Sequence, residues 1–274
     1  MEAVDDAGFR VEFEAPVDRI VSLYTAHTEN LIAIGGASRL VAASSGDDPE
    51  LVGDVPLLAI KPGLEQIVSL APDLVLTRPM QVRSQEALYG RLRALGVKVL
   101  AIDPPKWEEF PDYIELLSRL IGDPSPTKAA SLAKSLLSSG AAEDGAVGAL
   151  LITNGRSLAT CAPDSWAARM MALAGFRNAA AGSARAMRGG VIANFGAERI
   201  LAADKDIDVV LLQRGAMNTM SAADFRSDPR FLSLRAVRDG KVFDVSEADI
   251  SRPSLLRLKM GVINNLRKLT LFGG

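Results

Sequence analysis

Gly63-Leu64-Glu65-Gln66-Ile67, leading after a short interval into Pro72-Asp73-Leu74-Val75-Leu76, is met again as Gly196-Ala197-Glu198-Arg199-Ile200 leading into Asp208-Val209-Val210-Leu211. Glycine, glutamate and isoleucine hold one spacing between the copies, 133 residues from Gly63 to Gly196, Glu65 to Glu198 and Ile67 to Ile200, and the second copy then carries two extra residues before its apolar run. A motif repeated at fixed spacing is the signature of one structural unit occurring twice.

The repeat extends outward in both directions. Before the first copy stand an apolar run at 20–23, a polar loop, an amphipathic stretch at 28–34 stopped by Gly35-Gly36, and a second apolar run at 40–43. The later half answers with 149–152, a polar loop, a helix-like stretch at 165–174 stopped by Gly175, and 178–181. Beyond the motif, Leu92-x-x-Leu95-Gly96-Val97-Lys98-Val99 corresponds to Leu234-x-x-Val237-x-x-Gly240-Lys241-Val242. Each half reads as strand, helix, strand, helix, strand, helix, strand.

Such alternation implies parallel sheets covered by helices on both faces, with right-handed crossovers. The strand candidates at 74–76, 97–102 and 209–212 are apolar throughout, the pattern of strands buried on both sides. The expected fold class is therefore α/β, with two Rossmann-like lobes at 1–108 and 146–274 and a ligand cleft between them. The intervening 109–145 is expected to be a helical connector. Within it, 107–121 (WEEFPDYIELLSRLI) has helical spacing, 122–126 breaks it, and an Ala/Leu-rich helix at 126–140 joins the lobes. Pro126 suits the first helical position, where its missing N–H costs little, and Ser125 is a plausible cap. One linking helix is stiff and permits rocking of a few degrees.

About half the residues are apolar and the net charge is −2, so the chain has material for two cores. No apolar run reaches the roughly 18 residues a spanning helix needs. The acidic start Met1-Glu2-Ala3-Val4-Asp5-Asp6 lacks the basic and apolar regions of an export signal. The expectation is that the protein is cytosolic or that a targeting segment lies upstream. Cys161 is the one cysteine, which excludes an intramolecular disulfide, and it reads as a buried small hydrophobe.

The segments 19–36 (RIVSLYTAHTENLIAIGG), 64–77 (LEQIVSLAPDLVLT) and 92–103 (LRALGVKVLAID), with Ser251-Arg252-Pro253 before a final helix, resemble the helix-linked (class III) periplasmic solute-binding proteins of ABC importers, which handle ferric siderophores, haem or vitamin B12. The resemblance covers nearly the whole chain. It implies an extracytoplasmic solute-binding protein, periplasmic or membrane-anchored, whose partners are a permease dimer and a small metal chelate. It also implies that Glu65 and Glu198, one on each lobe, pair with arginines of the two permease subunits. The alternative for each glutamate is a carboxylate that merely favours the positive end of a helix. No nucleic acid and no resident cofactor are expected, and the protein is expected to be a monomer.

Ligands of open α/β sheets bind beyond the carboxyl ends of the strands, and those places are rich in cations here. Arg78, Lys106, Arg214 and Arg252 follow strand candidates, while Lys61 and Arg188 lie shortly before the two glutamates. The set suits an anionic ligand, such as a carboxylate or catecholate iron chelate, haem propionates or an oxyanion, or else is a collection of solvated loop residues. Tyr24 and His27 follow the first strand and are candidates to ligate iron; for His27 the alternative is a helix residue satisfied by local hydrogen bonds, with Thr25 or Thr28 as cap. A single histidine excludes a multi-histidine zinc or manganese site. Trp107 and Trp166 offer flat faces to a planar ligand or pack between lobes. Aromatic residues that line the cleft of vitamin B12 binders are lacking near Ala59, Ile60, Arg78 and Ile192, which favours an iron chelate over a corrinoid.

An enzyme reading finds little support. There is no dinucleotide, P-loop or nucleophile-elbow motif, and His27 and Glu29 fall on different faces of a helix. A chelatase-like enzyme and a cytosolic sensor of the same ligand are the remaining alternatives.

Overall fold

The computed structural model describes residues 1–138, 147–182, 185–186, 190–216 and 218–271. It divides into two compact units, Met1–Lys134 with Pro253–Leu256, and Ser135–Arg252 with Arg257–Gly274. No helix among the described residues is long and apolar enough to cross a membrane.

The first unit runs β1 (Glu2–Val4), β2 (Arg10–Glu12), β3 (Ile20–Ser22), α1 (Thr25–Ala33), β4 (Leu40–Ser44), α2 (Pro49–Val52), β5 (Leu57–Leu58), α3 (Leu64–Val68), β6 (Leu74–Thr77), α4 (Pro79–Ser84), α5 (Glu86–Ala94), β7 (Lys98–Ala101) and α6 (Phe110–Leu120), followed by α7 (Pro126–Ser138). Strands β3 to β7 form a parallel sheet in the order β5-β4-β3-β6-β7. Every residue of β3 and β6 is buried, the polar Ser22 and Thr77 at their carboxyl ends included. Helix α6 places Phe110, Tyr113, Ile114, Leu117 and Leu120 on one buried face, the spacing of an amphipathic helix against a core. The short hairpin of β1 and β2 lies along the edge strand β7, where the Asp6 N–H donates to Ala101 O at 2.9 Å and the Ala101 N–H donates to Asp5 Oδ2 at 3.1 Å.

The helix expected at 126–140 is α7, described to Ser138, and the boundary between the units falls inside it. The chain also returns to the first unit at Pro253–Leu256. Asn30, fully buried on α1, holds this return: its Nδ2 donates to Pro253 O at 2.9 Å and its Oδ1 accepts from the Leu255 N–H at 2.7 Å.

The second unit runs β8 (Val147–Ile152), β9 (Thr160–Cys161), α8 (Trp166–Leu173), β10 (Phe176–Asn178), β11 (Arg185–Ala186), β12 (Ile192–Asn194), α9 (Ala197–Ala202), β13 (Val209–Arg214), α10 (Ala222–Ser227), α11 (Arg235–Arg238), β14 (Val242–Ser246), α12 (Glu247–Ile250), α13 (Leu255–Lys259), whose first two residues belong to the first unit, and α14 (Val262–Thr270). Its main sheet is parallel in the order β10-β8-β13-β14. With the two-residue edge strand β5 set aside, this matches β4-β3-β6-β7 strand for strand: second, first, third, fourth. The duplication read from the sequence is thus present in the topology. The symmetry is broken by a small antiparallel sheet, β11-β12-β9, in the second unit.

Candidate ligand-binding and docking sites

In both sheets the first and third strands are neighbours, and the chain leaves them in opposite directions. That is the topological switch point, where crossing connections part and leave a crevice at the carboxyl ends. In the first unit the loops after β3 and β6 bring Tyr24 and Arg78 together there. The Arg78 guanidinium stands 4.8 Å from the centre of the half-buried Tyr24 ring, a cation–π arrangement. Its Nη2 lies 3.6 Å from Asp103 Oδ1, beyond the 2.7–2.9 Å of a charge-assisted hydrogen bond. Arg78 Nε is shielded from solvent and has no hydrogen-bond acceptor among the described residues.

The second unit repeats the chemistry. Arg214 closes β13, its Nη1 stands 4.0 Å from Asp244 Oδ1, and that same nitrogen is shielded and without a hydrogen-bond acceptor among the described residues. Beside it a cavity of about 490 Å³ is lined by Asn154, Arg156, Asn218, Thr219, Met220 and Asp224, among others. The Ser221 hydroxyl, bonded to Asp224, holds that carboxyl below the usual carboxylate range. Asn154, Arg156 and Asn218 were not singled out from the sequence. The Asn154-Gly155 pair directly after an apolar strand was the available signal, a turn marker at a strand's carboxyl end.

His27 requires a correction: it is a core residue and cannot reach a ligand. Its side chain is fully buried. Nδ1 lies 2.7 Å from the Tyr113 hydroxyl, while Nε2 lies 3.2 Å from Thr77 O and 3.1 Å from Ile102 O. Two carbonyls at Nε2 demand an N–H there, so Tyr113 donates to Nδ1 and the imidazole is neutral. Burial lowers its pKa to about 4; the two carbonyl bonds oppose this, and the nearby Arg78 charge adds to it. Neither threonine caps α1. Tyr24 occupies the cap position and its side chain makes no capping bond, and Thr28 Oγ1 donates instead to Ser22 Oγ at 2.8 Å.

Of the remaining candidates, Lys106 is exposed, stands 3.8 Å from Glu109, and shares a second cavity of about 490 Å³ with Asp103 and Tyr113. Trp107 is half-buried just before α6, and Lys61 is exposed in the loop ahead of α3. Trp166 is buried at the first position of α8, behind a Ser165 cap. Arg252 is half-buried before Pro253, and Arg188 lies outside the described residues. Cys161 is fully buried, and its thiol is pushed up to about 11 by that burial, so it stays protonated.

Glu65 and Glu198 each occupy the second position of a short helix, exposed, two residues ahead of a fully buried isoleucine, Ile67 or Ile200. The buried isoleucine fixes the helix face, and the face fixes the carboxylate outward. The preceding glycines are not equivalent. Gly196 has φ of 85°, a region that favours glycine, whereas Gly63 is ordinary extended backbone at φ −75°.

Residues 20–248 match the family model described as "Periplasmic binding protein". A 113-residue segment is 33% identical to the vitamin B12-binding protein of Vibrio parahaemolyticus, covering 40% of this chain and 40% of that protein's length. The fold is similar to the periplasmic haem-binding protein RhuT from Roseiflexus (TM-score 0.73, 20% identity, 94% of this chain and 99% of that one). It is also similar to a protein of the Fe3+-hydroxamate transport system of Saccharomonospora viridis (TM-score 0.70, 20% identity, 98% of each chain).

Proposed function

Because the chain belongs to the periplasmic binding protein family, we propose that it is the substrate-binding component of an ABC importer, acting outside the cytoplasm, in the periplasm or anchored to the membrane's outer face. Its cargo is an anionic metal complex, a ferric siderophore or haem. The loops at the carboxyl ends of the strands bind the cargo, and Arg78 and Tyr24 in the first unit and Arg214 in the second are the leading candidates for contact. Lys61, Lys106, Trp107, Arg188 and Arg252 are the further candidates for contact. Binding and release, without turnover, are its work, and Glu65 and Glu198 dock on the paired permease subunits, where charge complementarity sets orientation and encounter rate.

The observation that carries the ligand reading is that Arg78 and Arg214 stand at the carboxyl ends of the corresponding strands β6 and β13, each with its neighbouring carboxylate no nearer than 3.6 and 4.0 Å. An anionic ligand offers both guanidinium groups closer acceptors than these carboxylates do.

A second reading, a cobalamin or other corrinoid cargo, is favoured by the 33% identity to a vitamin B12-binding protein. Tryptophan quenching and visible-absorbance titrations with haemin, ferric catecholate and hydroxamate chelates, cyanocobalamin and molybdate test both. Saturable binding of haemin or a ferric chelate supports the first reading, and binding of cyanocobalamin alone supports the second. Chemical conversion of a bound tetrapyrrole counts against both.

A further inference from the structure

The two arginines share an arrangement beneath the surface that the duplication did not supply. In the first unit, the Nε2–H of buried His27 is directed at the carbonyls of Thr77 and Ile102, the residues immediately before Arg78 and Asp103. In the second, buried Asn218 donates from Nδ2 to Gln213 O at 2.8 Å and to Ile152 O at 3.3 Å, and Gln213 immediately precedes Arg214. Asn218 Oδ1 accepts from the N–H groups of Gly155 and Met220 at 3.0 and 3.2 Å, so its amide is fully used.

Each buried side chain therefore ties together the carboxyl ends of two adjacent strands, β6 with β7 and β8 with β13. In each unit one of the two tethered carbonyls belongs to the peptide group whose nitrogen is that of the candidate arginine. The peptide group is planar, so fixing its oxygen fixes the direction from which the next side chain departs. His27 comes from a helix and Asn218 from the loop after β13, so the units reach the same result with unrelated residues.

We propose that His27 and Asn218 are positioning residues, each setting the orientation of one ligand-facing arginine, Arg78 and Arg214 respectively. The proposal rests on the reading of those arginines as ligand-facing. Each adds a side-chain donor to a carbonyl at a strand's carboxyl end: Thr77 O also accepts the Ile102 N–H at 2.9 Å, and Gln213 is paired with Val245 within the sheet.

The test is the rate of phenylglyoxal modification at each arginine, followed by peptide mass mapping in the whole protein. His27→Leu is expected to raise the rate at Arg78 about two- to tenfold, the population shift that accompanies loss of a hydrogen bond of ordinary net strength, while Arg214 is unchanged. His27→Gln, which keeps an amide N–H, is expected to recover most of the wild-type rate. Asn218→Asp keeps the acceptor for Gly155 and Met220 but loses the Nδ2 donors, and should raise the rate at Arg214 alone. Unchanged rates, or both arginines rising together in every variant, overturn the proposal. If His27→Leu does not fold, His27→Phe keeps a ring in the core and removes the Nε2 donor; a rise confined to Arg78 supports the proposal, and an unchanged Arg78 overturns it. Protection of wild-type Arg78 and Arg214 by haemin, a ferric catecholate or cyanocobalamin tests the ligand reading separately, since the pattern among variants needs no ligand.

Discussion

Asp73 and Asp208 occupy the same place in the two sheets: each stands just before the third strand of its unit and accepts hydrogen bonds from the backbone at the start of the first strand. Asp73 Oδ2 takes the N–H groups of Asp18 and Arg19 at 3.0 and 2.9 Å, and Asp208 Oδ2 takes that of Gly148 at 2.7 Å. Asp208 is also ion-paired with Arg235 at 2.6 Å in a partly buried setting, whereas the Asp73 contacts are exposed. Water can replace the Asp73 bonds more easily. Chemical denaturation should find Asp208→Ala costing about 1–2 kcal/mol and Asp73→Ala about half of that.

Acid should weaken the protein through His27. Its pKa falls from 6.5 to about 4 on folding because burial disfavours the imidazolium. The unfolded chain then binds more protons between those values, so stability is full above pH 6.5, declines as pH falls, and has lost about 3 kcal/mol by pH 4. Carboxylates titrate in the lower part of the same range. The informative quantity is therefore the difference between wild type and His27→Gln in denaturation midpoints from pH 7 to pH 4, which should shrink on acidification.

Asn30 holds the returning segment with two buried hydrogen bonds, to Pro253 O and from the Leu255 N–H. Asn30→Ala leaves both backbone groups unpaired, at about 2–3 kcal/mol. Limited proteolysis should show new cleavage at 253–256 before any other site.

Reversing charge at both docking positions, Glu65→Lys with Glu198→Lys, should abolish importer-dependent uptake and leave cargo affinity within about twofold, because long-range steering and register are what such rim charges supply. Both side chains are exposed, so thermal stability should hardly change. Loss of cargo binding in this variant would break the separation between docking and capture.

Much of the fold was legible because it rests on local signals. Strands such as β6 and β13 are apolar on both faces, which announces a parallel sheet, and the Gly-x-Glu-x-Ile motif marks the helix preceding each third strand. What remained hidden depends on partners distant in sequence. His27 is a core residue only because Thr77 O, Ile102 O and the Tyr113 hydroxyl, 50, 75 and 86 residues away, converge on it. The return of Pro253–Leu256 depends on Asn30, and the role of Asn218 on carbonyls of two separate strands. The hairpin of β1 and β2 has three residues per strand, too few for a periodicity to show.

The most direct measurement is an equilibrium titration of haemin and ferric catecholate into wild type and into the double variant Arg78→Met with Arg214→Met, with folding stability followed in parallel. Wild type should saturate at one ligand per chain, and the double variant should bind at least about tenfold more weakly while being no less stable, since the shielded N–H groups are gone. Equal affinity in both proteins, or no saturable binding of either chelate to wild type, would contradict the assignment of the two arginines to capture of an anionic metal complex.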